Sequence, residues 1–153
     1  MRNKIFLAGP FKSLVDPKTN QMDLNFKGMF NNLIRFFESK GYVVHNAHKR
    51  ESWGENFMAP EECTKIDYDE IANCDYFVAF PGFPASPGTH IEIGWASALK
   101  KNIFLLLESG KEYAFLIRGL YNVVPVNYIY YQVENDYLEK LEHFFSAAET
   151  SLA

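Results

Sequence analysis

Asp75-Tyr-Phe-Val-Ala-Phe80, Pro81-Gly-Phe-Pro-Ala-Ser-Pro-Gly-Thr89 and His90-Ile-Glu-Ile-Gly-Trp-Ala-Ser-Ala98 follow one another without a gap. The first piece is short and almost continuously apolar, as in a strand covered on both faces. The second gathers Pro, Gly and Ser, which interrupt regular structure. The third opens a helix near Thr89, just after residues able to cap it. Strand, loop and helix in this order form the repeating unit of an α/β protein.

The same alternation extends outward in both directions. Further strand-like runs lie at Lys4–Ala8, Tyr42–Asn46, Asn102–Leu107 and Asn127–Tyr131. Between the first two, Leu24–Ser39 places Leu24, Met29, Phe30, Leu33, Ile34 and Phe37 on one helical face, and Gly41 ends it. Pro60 opens another helix, with Glu61 and Glu62 suited to its dipole. A short helix is expected over about Glu112–Gly119 and a last one over about Glu134–Ala148. The prediction is an α/β fold: a Rossmann-like (flavodoxin-like) five-stranded parallel sheet with helices on both faces, in one domain spanning 1–153.

Composition narrows the class of function. Lys+Arg 15 against Asp+Glu 19 gives a net charge of −4, and no block of five like charges occurs. A nucleic-acid polymer is therefore not an expected partner. No apolar run approaches the roughly 18 residues of a membrane span, and the first residues lack the long apolar stretch of a signal peptide. Cys63 and Cys74 form no CxxC pair, which favours free thiols in a reducing cytoplasm. His45 and His48 lack a third ligand at metal spacing, so no metal is expected, and no cofactor either. Aromatics reach 16%, with 14 Phe, 9 Tyr and 2 Trp. What remains is a cytoplasmic domain with a small-molecule partner.

In open sheets of this kind ligands sit beyond the carboxyl ends of the strands, where strand order reverses. That selects the loops Gly9 to Met22, Ala47 to Ala59 and Pro81 to Thr89. Ser86, Gly88 and Thr89 stand where a helix begins; they serve either as its cap or as an anion cradle. Glu92 follows one turn later between Ile91 and Ile93. It is either a dipole partner or a carboxylate facing substrate, and Gly94 leaves room beside it. Gly9 permits a close backbone approach, Phe11 offers a ring to a planar ligand, and Lys12 offers a cation. The alternative is a Phe folded onto the core and a solvated Lys. Asp67 and Asp69 lie on the helix after Pro60, of which only the N-terminal half is expected to reach the crevice. Their spacing alone favours solvated carboxylates, and Asp75 reads as a strand-start residue. The string Asn46-Ala-His-Lys-Arg-Glu-Ser-Trp-Gly54 is dense in polar donors.

KIFLAGPF, DYDEIANCDYFVAF and SPGTHIEIGWASALKKNI together resemble the nucleoside 2-deoxyribosyltransferase superfamily. GPFKSLVDPKT, NAHKRESWG and AFPGFPASPGTHIEIGWA are most similar to its pyrimidine nucleotide N-glycosidases, the CMP and 5-hydroxymethyl-CMP enzymes of the mildiomycin type. The likeness runs from about residue 4 to 131. It implies that Glu92 is the catalytic carboxylate at C1′ and that Asp67 contacts the nucleoside and helps protonate the departing base, with Asp69 as its neighbour. It also implies that Ser86, Gly88 and the amides near Thr89 receive a 5′-phosphate, and that Phe11 stacks on the pyrimidine. Lys12 stands where the hydroxymethyl-CMP enzyme has an arginine, keeping the charge but losing the planar fork. Phe6 replaces a tyrosine common among the transferases. Family members are dimers or larger, so Tyr113, Phe115 and Arg118 are candidates for contact with a neighbouring subunit in a homodimer with shared active sites.

The chemistry of such a site follows from the bond to be broken. Cleaving an N-glycosidic bond needs positive charge stabilised at C1′ and a proton for the leaving base. A phosphate pocket supplies binding energy remote from the reacting atoms. The expected reaction is hydrolysis of 5-hydroxymethyl-CMP or CMP to the free base and ribose 5-phosphate. Two alternatives stand beside it: base exchange on unphosphorylated 2′-deoxynucleosides, and a non-catalytic nucleotide-binding module.

Overall fold

Five strands pair in parallel throughout: β1 (Lys4–Ala8), β2 (Val43–Asn46), β3 (Tyr76–Ala79), β4 (Asn102–Glu108) and β5 (Val126–Tyr131). Their order is β2-β1-β3-β4-β5, so the strand sequence reverses between β1 and β3. The structure, a computed structural model, describes residues 3–132 and 136–152. Six helices join or follow the strands: α1 (Leu24–Ser39), α2 (Ala47–Arg50), α3 (Pro60–Asn73), α4 (Pro87–Ala98), α5 (Phe115–Arg118) and α6 (Asp136–Leu152). No described helix is long and apolar enough to cross a membrane.

Strand side chains alternate between two faces, and each face has its own core. Ile5, Leu7, Tyr76, Val78, Phe104 and Leu106 pack with Met29, Phe30, Leu33, Ile34 and Phe37 of α1 and with Tyr137, Leu141 and Phe145 of α6. Phe6, Ala8, Phe77, Ala79, Ile103, Leu105 and Leu107 pack with Ile71 of α3, Ile93 and Ala96 of α4, and Ile117 of α5. Every residue of Tyr76–Phe80 and Ile103–Leu107 is buried, as expected for strands sandwiched between helices.

Several boundaries differ from the sequence reading for local reasons. Leu24 is exposed although the periodic face includes it, because it is the first residue after the Asp23 cap, before the helix meets the sheet. Tyr42 precedes β2 and turns its ring onto Phe37, Tyr76 and Phe145. Helix α4 begins at Pro87, two residues before Thr89, since Ser86 caps it and a first-turn proline presets the helical φ. The helix expected over Glu112–Gly119 shrinks to four residues, and Glu134 lies outside the described residues. Helix α2 was not expected; it is one turn capped by Asn46, whose Oδ1 accepts from Lys49 N at 2.9 Å.

Candidate active site

The floor of the site is a row of rings across three strands. Parallel register pairs Phe6 with Phe77 and with His45. The rings stack in that order, with centroids 5.7 Å apart for Phe6 and Phe77 and 5.4 Å for Phe6 and His45. This row lies on the face covered by α3 and α4, and it brings the His45 imidazole to the side chains of α3.

Helix α4 supplies the first wall. Ser86 Oγ lies 2.9 Å from Thr89 Oγ1 and accepts from the Thr89 amide at 3.5 Å, so Ser86 is the cap and Thr89 sits in the first turn. A Cβ built at Gly88 would meet no atom within 4 Å, which leaves open space over the first turn. Glu92, one turn on, is partly exposed but strongly desolvated. Burial pushes its carboxyl up to about 8; the charge of Asp67 adds to the rise and Arg50 opposes it. Glu92, Asp67 and Arg50 therefore share one electrostatic environment.

Helix α3 supplies the second wall. Asp67 stands at its midpoint, beyond the N-terminal half expected to reach the crevice, yet it faces the site. Its Oδ1 accepts from Arg50 Nη1 at 2.7 Å. Arg50 Nη1 also lies 2.9 Å from His45 Nε2, and Nη2 donates to Glu51 Oε2 at 3.0 Å. An arginine can only donate, so His45 Nε2 is the acceptor and its ring proton sits on Nδ1, 3.7 Å from Glu70 Oε2. Burial lowers the His45 pKa, which keeps the ring in this neutral form. Burial raises the Asp67 carboxyl, and the Arg50 hydrogen bond and charge pull it back.

The third wall is the turn after β1. A Cβ at Gly9 would lie 2.6 Å from Phe30 Cζ, so the close approach that needs glycine is to a core ring. Phe11 stacks on His48 with centroids 4.3 Å apart and meets Phe57 at 5.1 Å. Lys12 Nζ sits 5.5 Å from the Phe57 centroid. His48 is buried, and its Nε2 reaches the Pro10 carbonyl at 2.8 Å, which assigns the proton to that nitrogen. Asn46 Nδ2 then donates to Nδ1 at 3.2 Å. An open groove of about 750 Å³ runs along residues 13–24 on the same rim, but neither Glu92 nor Asp67 lines it.

Glu92 and Asp67 thus share one environment with Arg50; Ser86, Gly88 and Thr89 lie in the turn before Glu92; and Phe11 and Lys12 lie with His48 and Phe57 after β1. Asp69 is turned away: two helical positions from Asp67, about 200° around the axis, it pairs with Lys65 at 2.6 Å on the surface. Tyr113, expected at a subunit contact, is buried in its own chain, and its hydroxyl accepts from Glu108 N at 2.7 Å. Phe115 is exposed, and Arg118 pairs with Glu112 while lying over the Phe115 ring. Asp75 does start a strand pairing, accepting from Lys4 N at 2.7 Å. His45 and His48 were weighed by sequence only as metal ligands, and Arg50 and Glu51 were not singled out. Their only signal was the density of polar groups in Asn46–Gly54.

A family model described as "Domain of unknown function (DUF4406)" matches residues 3–105. No curated protein matches the chain. Among solved structures, the CMP N-glycosidase BcmB of Clostridium botulinum is 46% identical, with 93% of this chain and 99% of that chain covered and a TM-score of 0.73. BlsM, known from its solution structure, is 52% identical over 86% of this chain and 82% of that one, with a TM-score of 0.75. A 2-deoxyribosyltransferase from Bacillus psychrosaccharolyticus, 20% identical over 87% and 88% of the two chains, shares the fold at a TM-score of 0.57. The chain belongs to the DUF4406 family and to the same family as the CMP N-glycosidase BcmB and BlsM.

Proposed function

We propose that this protein hydrolyses the N-glycosidic bond of a pyrimidine nucleoside 5′-monophosphate, CMP or 5-hydroxymethyl-CMP, releasing the base and ribose 5-phosphate. The observation that carries the reading is the desolvated Glu92 carboxyl sharing one electrostatic site with Asp67, one turn below an open helix N-terminus. The 46% identity to a CMP N-glycosidase over 93% of the chain supports the same substrate class.

Each group has a role that its chemistry permits. The phosphate sits over Ser86, Gly88 and the Thr89 amide, where a helix N-terminus favours an anion. The ribose then lies over Glu92, whose ionised form attacks C1′ or stabilises the oxocarbenium ion as the bond to the base breaks. The bonding pair leaves with the base, which takes a proton from the Asp67 side, directly or through water. Water completes the reaction at C1′ and regenerates Glu92. Phe11 faces the pyrimidine and Lys12 its 5-substituent.

The reading includes a homodimer in the cytosol. Phe115 and Leu116 are 78% and 85% exposed next to each other on α5, a costly way to leave two large apolar side chains in a monomer. Sedimentation is expected to give a dimer that Leu116→Asp dissociates; a monomeric wild type contradicts this part.

Incubation with CMP, 5-hydroxymethyl-CMP and dCMP, with and without excess thymine, tests the function. Chromatography is expected to show free base and sugar phosphate with no new nucleotide. Appearance of a thymine nucleoside or nucleotide would assign base transfer instead.

A further inference from the structure

We infer that Arg50 is the positioning residue of the reaction, dedicating one oxygen of Asp67 to the scaffold so that the other faces the substrate. The inference rests on the N-glycosidase reading and deepens it.

The geometry is that of a divided guanidinium. Arg50 does not grip Asp67 with both terminal nitrogens, the usual arrangement of an arginine and a carboxylate. Nη1 goes to Asp67 Oδ1 at 2.7 Å and Nη2 goes to Glu51 Oε2 at 3.0 Å. Among the described residues no hydrogen bond reaches Asp67 Oδ2. A single-point hold of this kind fixes the carboxylate by one oxygen and leaves a lone pair for a ligand.

What holds Arg50 is equally specific. Glu51 is 5% exposed, and its other oxygen, Oε1, accepts from Met58 N at 2.8 Å. The chain returns to place that amide through a left-handed turn, Ser52 and Trp53 at φ 52° and 57° followed by Gly54 at 100°. Two consecutive non-glycine residues in this region are strained, and such strain persists only where surrounding contacts enforce it. Gly54 is pinned by Val15: a Cβ there would fall 2.7 Å from Val15 Cγ2. A rigid line therefore runs from the Met58 amide through Glu51 and Arg50 to Asp67.

Four charged or titratable groups face Asp67: Arg50, His45 and Glu51 from the β2 side and Glu92 from α4, while Glu70 of its own helix lies against His45. Arg50 is the one fixed positive charge among them. Without it Asp67 would lie beside the carboxylates of Glu51 and Glu92 with neither oxygen held. His45 cannot replace it, since its neutral ring accepts from Arg50 rather than donating to Asp67. Arg50 Nε is buried without a partner, a cost consistent with a side chain placed for its other two nitrogens.

The test uses Arg50→Met, Arg50→Lys and Glu51→Gln in the full chain. Titration of the Asp67 carboxyl by carbon NMR in the unliganded protein is expected to move up by at least about one pH unit in Arg50→Met. Its kcat on CMP is expected to fall about 100-fold, with KM changed only a few-fold. Arg50→Lys restores the Asp67 titration more than the rate, because a single ammonium cannot span Asp67 and Glu51. Should Arg50→Met fail to fold, Glu51→Gln lowers kcat in the same direction with the guanidinium intact. An Asp67 titration that does not move, or a kcat unchanged in both Arg50→Lys and Glu51→Gln, overturns the inference. If the wild type leaves CMP intact, the functional reading fails, and the Asp67 titration still decides the role of Arg50.

Discussion

The His48 imidazole lies flat against Phe11, with ring centroids 4.3 Å apart, while its Nε2 donates to the Pro10 carbonyl at 2.8 Å. The other side of His48 meets Phe30, at 4.1 Å. The aromatic ring proposed to receive the pyrimidine is thus mounted on a buried histidine rather than on a mobile loop.

His48 should make stability sensitive to acid. Burial drives its pKa down to about 4 from an ordinary value of 6.5. A base with a depressed folded pKa contributes stability above its unfolded value and loses it as pH falls through the folded one. The unfolding free energy from urea titrations is expected to drop between about pH 6.5 and 4, by up to about 3 kcal/mol. His48→Gln should flatten that dependence, start from lower stability at pH 7, and raise KM for CMP. An equally steep loss in His48→Gln would place its cause elsewhere.

Glu92 should trade stability for activity. Its carboxyl is raised to about 8, so the folded state holds a proton that the unfolded chain releases near 4.5. The associated stability is complete below about 4.5 and declines as pH rises to about 8. Glu92→Gln is expected to abolish turnover and yet raise stability at pH 8 by about 1–2 kcal/mol, a figure discounted because the residue is partly exposed. In the wild type, kcat/KM should climb with pH toward about 8 as the carboxylate forms. A destabilised Glu92→Gln protein would contradict this account.

Gly88→Ala separates phosphate binding from folding. The open space at its Cβ position means that a methyl group meets no protein atom, and alanine favours the helix. Stability should stay level or rise by up to about 1 kcal/mol. The methyl would occupy space proposed for phosphate, so KM for CMP should increase at least about tenfold. An unchanged KM would move the phosphate elsewhere.

Lys12 tests the 5-substituent. Its Nζ rests over the Phe57 ring as a single point charge. Lys12→Ala should change the ratio of 5-hydroxymethyl-CMP to CMP turnover, and Lys12→Arg should shift it the opposite way by restoring the fork. A ratio constant across all three proteins would remove Lys12 from base selection.

Much of this was legible in one dimension because local signals had local causes. The period of Leu24–Ser39, a capping residue before α4, and the buried runs of β3 and β4 each depend on neighbours a few residues away. Glu92 was legible because the loop before it marks a helix N-terminus at the end of a strand. Asp67 was reached only through the resemblance, and its bond to Arg50 was not legible, since it joins two elements 17 residues apart and spacing within either helix says nothing of it. Asp69 and Tyr113 are held by nearer partners, Lys65 one turn back on the same helix and the Glu108 amide five residues earlier.

The most direct measurement is kcat/KM for base release from CMP and from cytidine, taken side by side on the wild-type protein. A site that uses phosphate binding energy to hold ribose over Glu92 should favour CMP by about 1,000-fold or more, with cytosine and ribose 5-phosphate as the products. Cytidine cleaved as readily as CMP would contradict the account at its centre.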